Sequence, residues 1–502
     1  MKKSISFVLV LSMLLAAMLG VTSVAEAEPA AAKLDISYAN LMFTDSVYPL
    51  FAVDYTAVYT GDKAEANALA AIKLEVYRNG ELVDTLKPTT EVAAPKVGTI
   101  AFKQESFGFK NMGDIYTYRA VNGKAENSSD DVEYSVLEYA LESSMLGDDK
   151  LATVVEKMIA VGAAAQTAFD YSDYDYDLAK KYSVTKLAGG ATFADGTTKK
   201  IFVEGDTATY VASHNLAADK VVWYNNTLEL QSTESTFTAS YGESQTLFAV
   251  PAAQAVDMGN SYATKGSQLG YKDVGSSIVS IIGDFVDNGN ADAESKFTMT
   301  FTLATNSATS MQINLRNTEY MNPNTSSANV AESTIDSKTG INNRQKANIS
   351  LFRGASAKGY LGPRYNAKGG CVNNSETVCY NIAPLSTAAS GTVGEYITYS
   401  IVFDISGQAD CPVCTKATGC TNCNTDGVND GKTYTMSFYV NGEYKLTTIL
   451  PILLSYEIEV DGVATTKKFF DNNLQLNFSS NPFVNLYIKH FAITAGDIND
   501  YK

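Results

Sequence analysis

Two Asn-Gly pairs, Asn79-Gly80 in IKLEVYRNGELVDTL and Asn441-Gly442 in KTYTMSFYVNGEYKLTTIL, each interrupt a run of alternating apolar and polar residues. Alternation of period two puts every second side chain on one face of a strand. Asn-Gly tolerates the positive φ that both corners of a two-residue type I′ turn require. The combination admits a β-hairpin and excludes a helix through either stretch. In the second stretch Tyr434, Met436, Phe438 and Val440 share one face, and Thr435, Ser437 and Tyr439 the other. The same texture recurs along most of the 502 residues, with 30 Tyr, 22 Phe and only 11 Pro, so the expected fold is mainly β and multi-domain.

Lys2 and Lys3, the apolar run ISFVLVLSMLLAAMLGV and the small residues of SVAEAEPAAA read as a secretory signal peptide over residues 1–27. Later apolar runs such as ILPILL (449–454) fall short of the roughly 20 residues a spanning helix needs. No membrane span is expected in the mature chain, and its expected location is secreted, extracellular or cell-surface. The net charge of −17 repels phosphate backbones and anionic lipid, so nucleic-acid and peripheral-membrane partners drop out.

Strand-like segments KLDISYANLMFT, PLFAVDYTAVY, AIKLEVYRNGELVDTLKP, GTIAFKQESFGF and DIYTYRAVNGK have the number and spacing of an immunoglobulin-like sandwich. The period then changes to about 3.6. Tyr134, Leu137, Leu141 and Met145 define one helical stripe, with Gly147 placed to stop it. Leu151, Val154, Met158, Val161, Ala165 and Phe169 define a second, behind Asp148 and Asp149. Asp170, Asp173, Asp175 and Asp177 alternate with other residues after the second helix but lack a D-x-D-x-D-G loop, so they read as a solvated linker. Residues 33–182 are therefore expected to form a β-sandwich plus a two-helix hairpin. The run YRAVNGKAENSSDDVEYSVLEYAL followed by KMIAVGAAAQTAFDY resembles a module of large secreted proteins of Gram-positive bacteria. The resemblance implies architecture and surface location, and no reaction.

Residues 183–255 read as a small immunoglobulin-like β domain in which Trp223, the single Trp, belongs to the core between Val221, Val222 and its neighbours. The stretch LAGGATFADGTTKKIFV through VVWYN resembles the bacterial immunoglobulin-like or internalin-B-type repeat. Residues 256–502 carry the longest alternating strands. Their closing pattern, YVNGE then NLYIKHFAI, resembles the concanavalin-A-like or laminin-G-like jelly roll. That resemblance implies a jelly-roll sandwich, here with a cysteine-containing insertion at 405–432, and contact with glycan.

Catalytic constellations are hard to assemble from this sequence. Two histidines, His214 and His490, lie in VASHNLAA and LYIKHFAI without a nucleophile elbow nearby, and read as ordinary surface or edge residues. A glycosidase needs two carboxyl groups about 5–9 Å apart, and the C-terminal strands offer Asp404 and, past a turn, Glu443. The expectation is a non-enzyme. RGASAKGYLGPRYNAKGG (353–370) reads as a long exposed loop in which Tyr360 and Tyr365 can stack on sugar rings and Arg364 can hold hydroxyls or carboxylates.

All six cysteines, Cys371, Cys379, Cys411, Cys414, Cys420 and Cys423, fall in the last region, four of them in CPVCTKATGCTNC. A secreted chain with an even count points to disulfides. Paired C-x2-C elements also suit zinc, although a gap of five residues is much shorter than the usual gap of about twelve or more. Free or redox-active thiols are the third reading. Asn424, Asp426 and Asp430 in NTDGVNDG read as a turn, with calcium as the alternative. The functional expectation is a non-catalytic protein that contacts extracellular glycan or another cell-surface component, in carbohydrate binding or adhesion. A structural spacer without ligand and a carbohydrate-active hydrolase or lyase are the alternatives.

Overall fold

The computed structural model describes residues 33–43, 47–56, 72–89, 97–105, 107–122, 128–145, 149–265, 270–283, 295–305, 312–317, 348–355, 360–364, 383–384, 395–410, 432–450, 455–460, 463–479 and 485–502. They are mainly β and divide into two compact units, Met1–Lys181 and Tyr182–Lys502. The segment read as a signal peptide lies outside the described residues. No helix among the described residues is long and apolar enough to cross a membrane.

The first unit contains β1 (Lys33–Phe43), β2 (Val47–Thr56), β3 (Ile72–Arg78), β4 (Glu81–Leu86), β5 (Val97–Lys103), β6 (Ile115–Asn122) and β7 (Val132–Ser135). They make two antiparallel sheets, ordered β1-β2-β5 and β4-β3-β6-β7. Asn79 and Gly80 take φ of 51° and 79°, the pair of positive angles that lets Arg78 face Glu81 across the hairpin. The sheets meet through aromatic rings: Phe51 and Tyr118 have centroids 4.1 Å apart, and Tyr134 stands edge-on to Phe51 at 5.5 Å.

Strand β7 runs directly into α1 (Val136–Ser144), and α2 (Asp149–Ala168) follows. Helix α2 buries Val155, Met158, Gly162 and Gln166, a face rotated from the stripe expected from apolar residues alone. Val154, Val161 and Phe169 are exposed, Phe169 by 70%. Close approach and hydrogen bonding set this rotation. A Cβ on Gly162 would lie 2.6 Å from the Leu178 side chain and 3.2 Å from the Phe109 carbonyl. One turn on, Gln166 Nε2 donates to the Lys110 and Tyr176 carbonyls at 3.3 and 3.2 Å, and Oε1 accepts from Leu178 N at 3.0 Å. The aspartate-rich tail is exposed at Asp170, Asp173 and Asp175, as a solvated linker is, and is also fastened: Asp175 Oδ2 accepts from Ile115 N at 2.7 Å, and Asp173 pairs with Arg78 at 3.1 Å.

The second unit begins with β8 (Tyr182–Leu187), β9 (Thr192–Phe193), β10 (Lys199–Val203), β11 (Tyr210–Ser213), β12 (Val221–Asn225), β13 (Leu230–Ser232), β14 (Thr236–Ala239) and β15 (Gln245–Lys265). It continues through β16 (Gly270–Asp273), α3 (Gly275–Ile282), β17 (Lys296–Thr305), β18 (Gln312–Asn317), β19 (Asn348–Ala355), β20 (Tyr360–Arg364) and β21 (Ala383–Pro384). The last strands are β22 (Ile397–Asp410), β23 (Lys432–Val440), β24 (Glu443–Ile449), β25 (Ser455–Val460), β26 (Val463–Lys468), β27 (Leu474–Ser479) and β28 (Asn485–Ala495). Strand β15 is 21 residues long. It pairs with β8 and β12 near its start and with β28 from Ala252 onward, passing residue 255 without a break.

A ten-stranded sheet follows the path β10-β8-β15-β28-β17-β22-β23-β24 with β12 and β13 branching from β15, and a six-stranded sheet is ordered β16-β27-β18-β19-β20-β21. Between them lies the largest core, where Phe297, Phe301, Phe403 and Phe438 meet Leu315, Leu476 and Phe478, with Ile278 of α3 at its margin. On the opposite side of the ten-stranded sheet, Thr300 pairs with Ser400 at 3.1 Å and Thr302 with Thr398 at 3.0 Å, all buried. Tyr224, Phe248 and Ile498 form a separate core with Ala492 of this sheet.

Trp223 has no exposed surface, packs with Phe193, Phe202 and Leu247, and donates from Nε1 to the Glu234 carbonyl at 3.1 Å. It is core, as its valine neighbours suggest. His490 departs from the surface or edge expectation. It is 1% exposed on β28, which lies between β15 and β17. Its Nε2 is 2.9 Å from the Tyr224 hydroxyl and its Nδ1 3.3 Å from the Val256 carbonyl. Burial depresses its pKa to about 4, so the ring is neutral near pH 7.

Candidate polar face of the six-stranded sheet

The six-stranded sheet is apolar on one face and polar on the other because QINLR and LQLNFS alternate, with Asn317 the one polar residue that follows on the core side. Ile313, Leu315, Leu474, Leu476 and Phe478 enter the core, which places Asn314, Arg316, Gln475 and Asn477 on the reverse face. A polar face of an antiparallel sheet is ordinarily solvated. Here Asn314 is 2%, Arg316 6% and Asn477 0% exposed.

Register carries this face across five strands. Tyr271 of β16 opposes Asn477, Asn477 opposes Asn314, Asn314 opposes Ser350, and Ser350 opposes Arg364. Residues directly opposite one another occupy the same face. A parallel row runs Asp273, Gln475, Arg316, Asn348, and a third brings Gln312 against Arg353 and Arg353 against Gly362. Strand β19 carries an extra residue opposite the Ile313–Asn314 step. This bulge keeps Leu351 in the core while returning Arg353 to a register position on the polar face.

The hydrogen bonding of the face is incomplete. Gln475 Nε2 donates to Asp273 Oδ1 at 2.7 Å, but Gln475 Oε1 and both Oδ1 and Nδ2 of Asn477 are buried without a hydrogen-bond partner among the described residues. Each such atom costs about 1–3 kcal/mol relative to one that is bonded. Native proteins leave few of them, and an ordered water or a ligand is the usual complement.

Two of the three ligand residues expected from sequence belong to a strand of this sheet. Tyr360 and Arg364 are the first and last residues of β20. The expected long loop over 353–370 is thus corrected in part, since 353–355 and 360–364 are strand. Tyr365, the cysteines 371, 379, 411, 414, 420 and 423, and the turn at 424–431 lie outside the described residues. No group of three or more His, Cys, Asp or Glu that could hold a metal ion occurs among the described residues. Asp404 and Glu443 form ion pairs, with Lys296 at 3.2 Å and Lys445 at 2.6 Å. Sequence reasoning missed Asn477, Gln475 and Asn314. Their signal was amides alternating with core apolar residues inside short strands.

No protein-family model matches the chain, and no curated protein does. Among solved structures, a fructofuranosidase from Schwanniomyces occidentalis complexed with fructose matches at 9% identity, covering 92% of this chain and 59% of that one. The chain therefore spans less than two thirds of that enzyme's length. The TM-score is 0.19, a value that carries no argument about fold or activity.

Proposed function

We propose that this is a secreted, cell-surface or extracellular protein that binds glycan without catalysis, through the polar face of the six-stranded sheet. The observation that carries the reading is Asn477, whose side-chain donor and acceptor atoms are buried without a partner among the described residues, second in a register row that crosses the sheet from β16 to β20. Sugar hydroxyls are donors and acceptors at once, so they complement an amide that has neither function satisfied. A sheet backed by a packed core holds such groups in place without the entropy loss of ordering a loop.

The larger core between two sheets supports a jelly-roll reading of residues 256–502, and the two facing sheets of the first unit support an immunoglobulin-like one. Both agree with the resemblance to modular surface proteins of Gram-positive bacteria. The ion pairs of Asp404 and Glu443 support the non-catalytic reading, because each carboxylate already has a cationic partner. The cysteine-rich insertion at 405–432 acts as a staple in this view, by disulfides or by zinc. The direct experiment applies the full chain to a polysaccharide array and repeats it with Asn477→Leu. Binding by the wild type and its loss in the variant are expected. Failure of the wild type to retain any glycan overturns the assignment.

A further inference from the structure

We propose that Asn79 is a site of spontaneous covalent modification, at which the Gly80 amide displaces ammonia from the side chain and the resulting succinimide opens to isoaspartate and aspartate. The chain places the same tripeptide, Asn-Gly-Glu, at two hairpin corners, between β3 and β4 and between β23 and β24. Their backbones nearly coincide: φ is 51° and 79° at Asn79 and Gly80, and 48° and 78° at Asn441 and Gly442. In a two-residue turn the glycine nitrogen takes no part in the ladder, and with no Cβ beside it nothing shields it. Local sequence therefore gives both corners the same reactivity, and their surroundings separate them. Asn79 and Gly80 are exposed, the Asn79 side chain makes no hydrogen bond among the described residues, and a Cβ on Gly80 would meet no described atom within 4 Å. The other corner is clamped. Asn441 Oδ1 accepts from Thr398 N at 3.0 Å, Asn441 N donates to the Thr398 carbonyl at 2.8 Å, and Lys502 Nζ donates to the Gly442 carbonyl at 3.1 Å. A Cβ on Gly442 would lie 2.5 Å from the Asn226 carbonyl oxygen.

Ring closure joins the Gly80 nitrogen to Asn79 Cγ. The nitrogen's proton passes to hydroxide, the Cγ–Nδ2 bond breaks, and the departing nitrogen takes up a proton and leaves as ammonia. Water then adds to one of the two carbonyls of the cyclic imide. Cleavage between the ring nitrogen and the main-chain carbonyl carbon leaves the chain running through Cγ as isoaspartate, and cleavage between that nitrogen and Cγ leaves aspartate. Nothing is oxidised or reduced. Bringing Cγ onto the glycine nitrogen requires rotation about the asparagine Cα–C bond, out of the turn geometry, so the corner must open first. At Asn79 only the hairpin itself has to open, and β4 lies at the edge of its sheet with Leu82 and Val83 each 53% exposed. At Asn441 the bonds to Thr398 and Lys502 must break as well. The product puts a new carboxylate next to Arg78, which lies 3.4 Å from Asp114 and 3.1 Å from Asp173. Isoaspartate also lengthens the main chain at a corner whose length sets the register of β4 against β3.

The test ages the full chain in mildly alkaline buffer and follows both corners by peptide mass mapping, with isoaspartate counted by enzymatic methylation of its carboxylate. Conversion at Asn79 is expected to run at least about tenfold faster than at Asn441, the ratio set by the extra hydrogen bonds that Asn441 must break before closure. In the urea-unfolded chain the two corners should convert at like rates. Asn79→Gln, whose longer side chain closes far more slowly, should abolish isoaspartate in the peptide that spans β3 and β4. Lys502→Met, which frees the Gly442 carbonyl, should quicken conversion at Asn441 about fivefold. Equal rates at the two corners of the folded chain, or a faster Asn441, overturn the proposal. So does an Asn79 that stays intact in the folded chain while the unfolded chain converts fully. Comparing two corners within one wild-type chain keeps the test decisive even where a variant fails to fold.

Discussion

In the first unit a buried carboxylate is surrounded by donors. Asp114, with no exposed surface, accepts at Oδ2 from Asn111 Nδ2 at 2.9 Å, from the Tyr171 hydroxyl at 2.7 Å and from the Tyr116 hydroxyl at 3.2 Å, while Arg78 lies 3.4 Å from Oδ1. In the second unit Asn477 is equally buried, and its side-chain amide has no hydrogen-bond partner among the described residues. Burial raises the Asp114 carboxyl above the ordinary range, and Asn111, Tyr171, Arg78 and Tyr116 draw it back. Among the described residues none does the same for Asn477. Asp114 Oδ1 also lacks a hydrogen bond and has only the Arg78 guanidinium beside it, so the contrast is one of degree. Oδ2 of Asp114 gathers three donors next to a counter-ion, as a structural joint does, and the amide of Asn477 gathers none among the described residues.

Removing the joint gives the largest expected effect. Asp114→Ala strips three hydrogen bonds of their acceptor and leaves Arg78, with a side chain 15% exposed, without its buried partner. A loss of about 4 kcal/mol is expected, the range for breaking one side of a buried ion pair. Urea unfolding of the full chain should show it as an earlier transition. A loss below about 1 kcal/mol would mean that the network is ornamental and that the contrast with Asn477 teaches nothing.

His490 sharpens the comparison through pH. Its pKa falls from 6.5 unfolded to about 4 folded because burial disfavours the charged ring. A depressed folded pKa means that the stabilisation is complete above pH 6.5 and is lost as pH falls toward and through 4. The loss amounts to about 3 kcal/mol at 1.36 kcal/mol per unit. Stability measured between pH 7 and 4 should fall accordingly, and His490→Phe should flatten that part of the profile. An unchanged slope in the variant would place the acid sensitivity elsewhere.

Gln166 is the next step down. Its side chain makes three hydrogen bonds to main chain at Lys110, Tyr176 and Leu178. Gln166→Ala is expected to cost about 2 kcal/mol, by leaving the buried Leu178 amide and two carbonyls with fewer partners. Hydrogen exchange should quicken at Leu178 first. Exchange unchanged there would show that the tail after α2 is held by its aspartates alone.

These residues also mark what could be read in advance. The two Asn-Gly hairpins were legible because turn chemistry is local: Asn441 and Gly442 take φ of 48° and 78°, as the dipeptide requires. The strand content and the core position of Trp223 followed from alternation. The buried face of α2 did not, because Gly162 and Gln166 carry no apolar signal and are placed by partners distant in sequence. His490 was misread for the same reason. A histidine between Lys489 and Phe491 looks like an edge residue until β15 and β17 are set on either side of its strand. Tyr360 and Arg364 stand out by their chemistry in a glycine-rich segment that reads as a loop. Their place in β20 comes from pairing with β19, which one sequence does not print.

The smallest expected effect has the opposite sign, and it separates a joint from a site most directly. Asn477→Leu puts an apolar group of similar size where an amide now has two buried atoms without partners. The substitution removes an uncompensated desolvation cost without stranding any hydrogen-bond partner. Stability should rise by about 1 kcal/mol, seen as a higher urea midpoint with the same slope. Retention of glycan should be lost in the same variant. A gain in stability with a loss of binding is the signature of a residue whose unfavourable environment is maintained for a ligand. A fall in stability of similar size would instead show that an internal water satisfies Asn477, and the polar face would then be a structural joint of the same kind as Asp114.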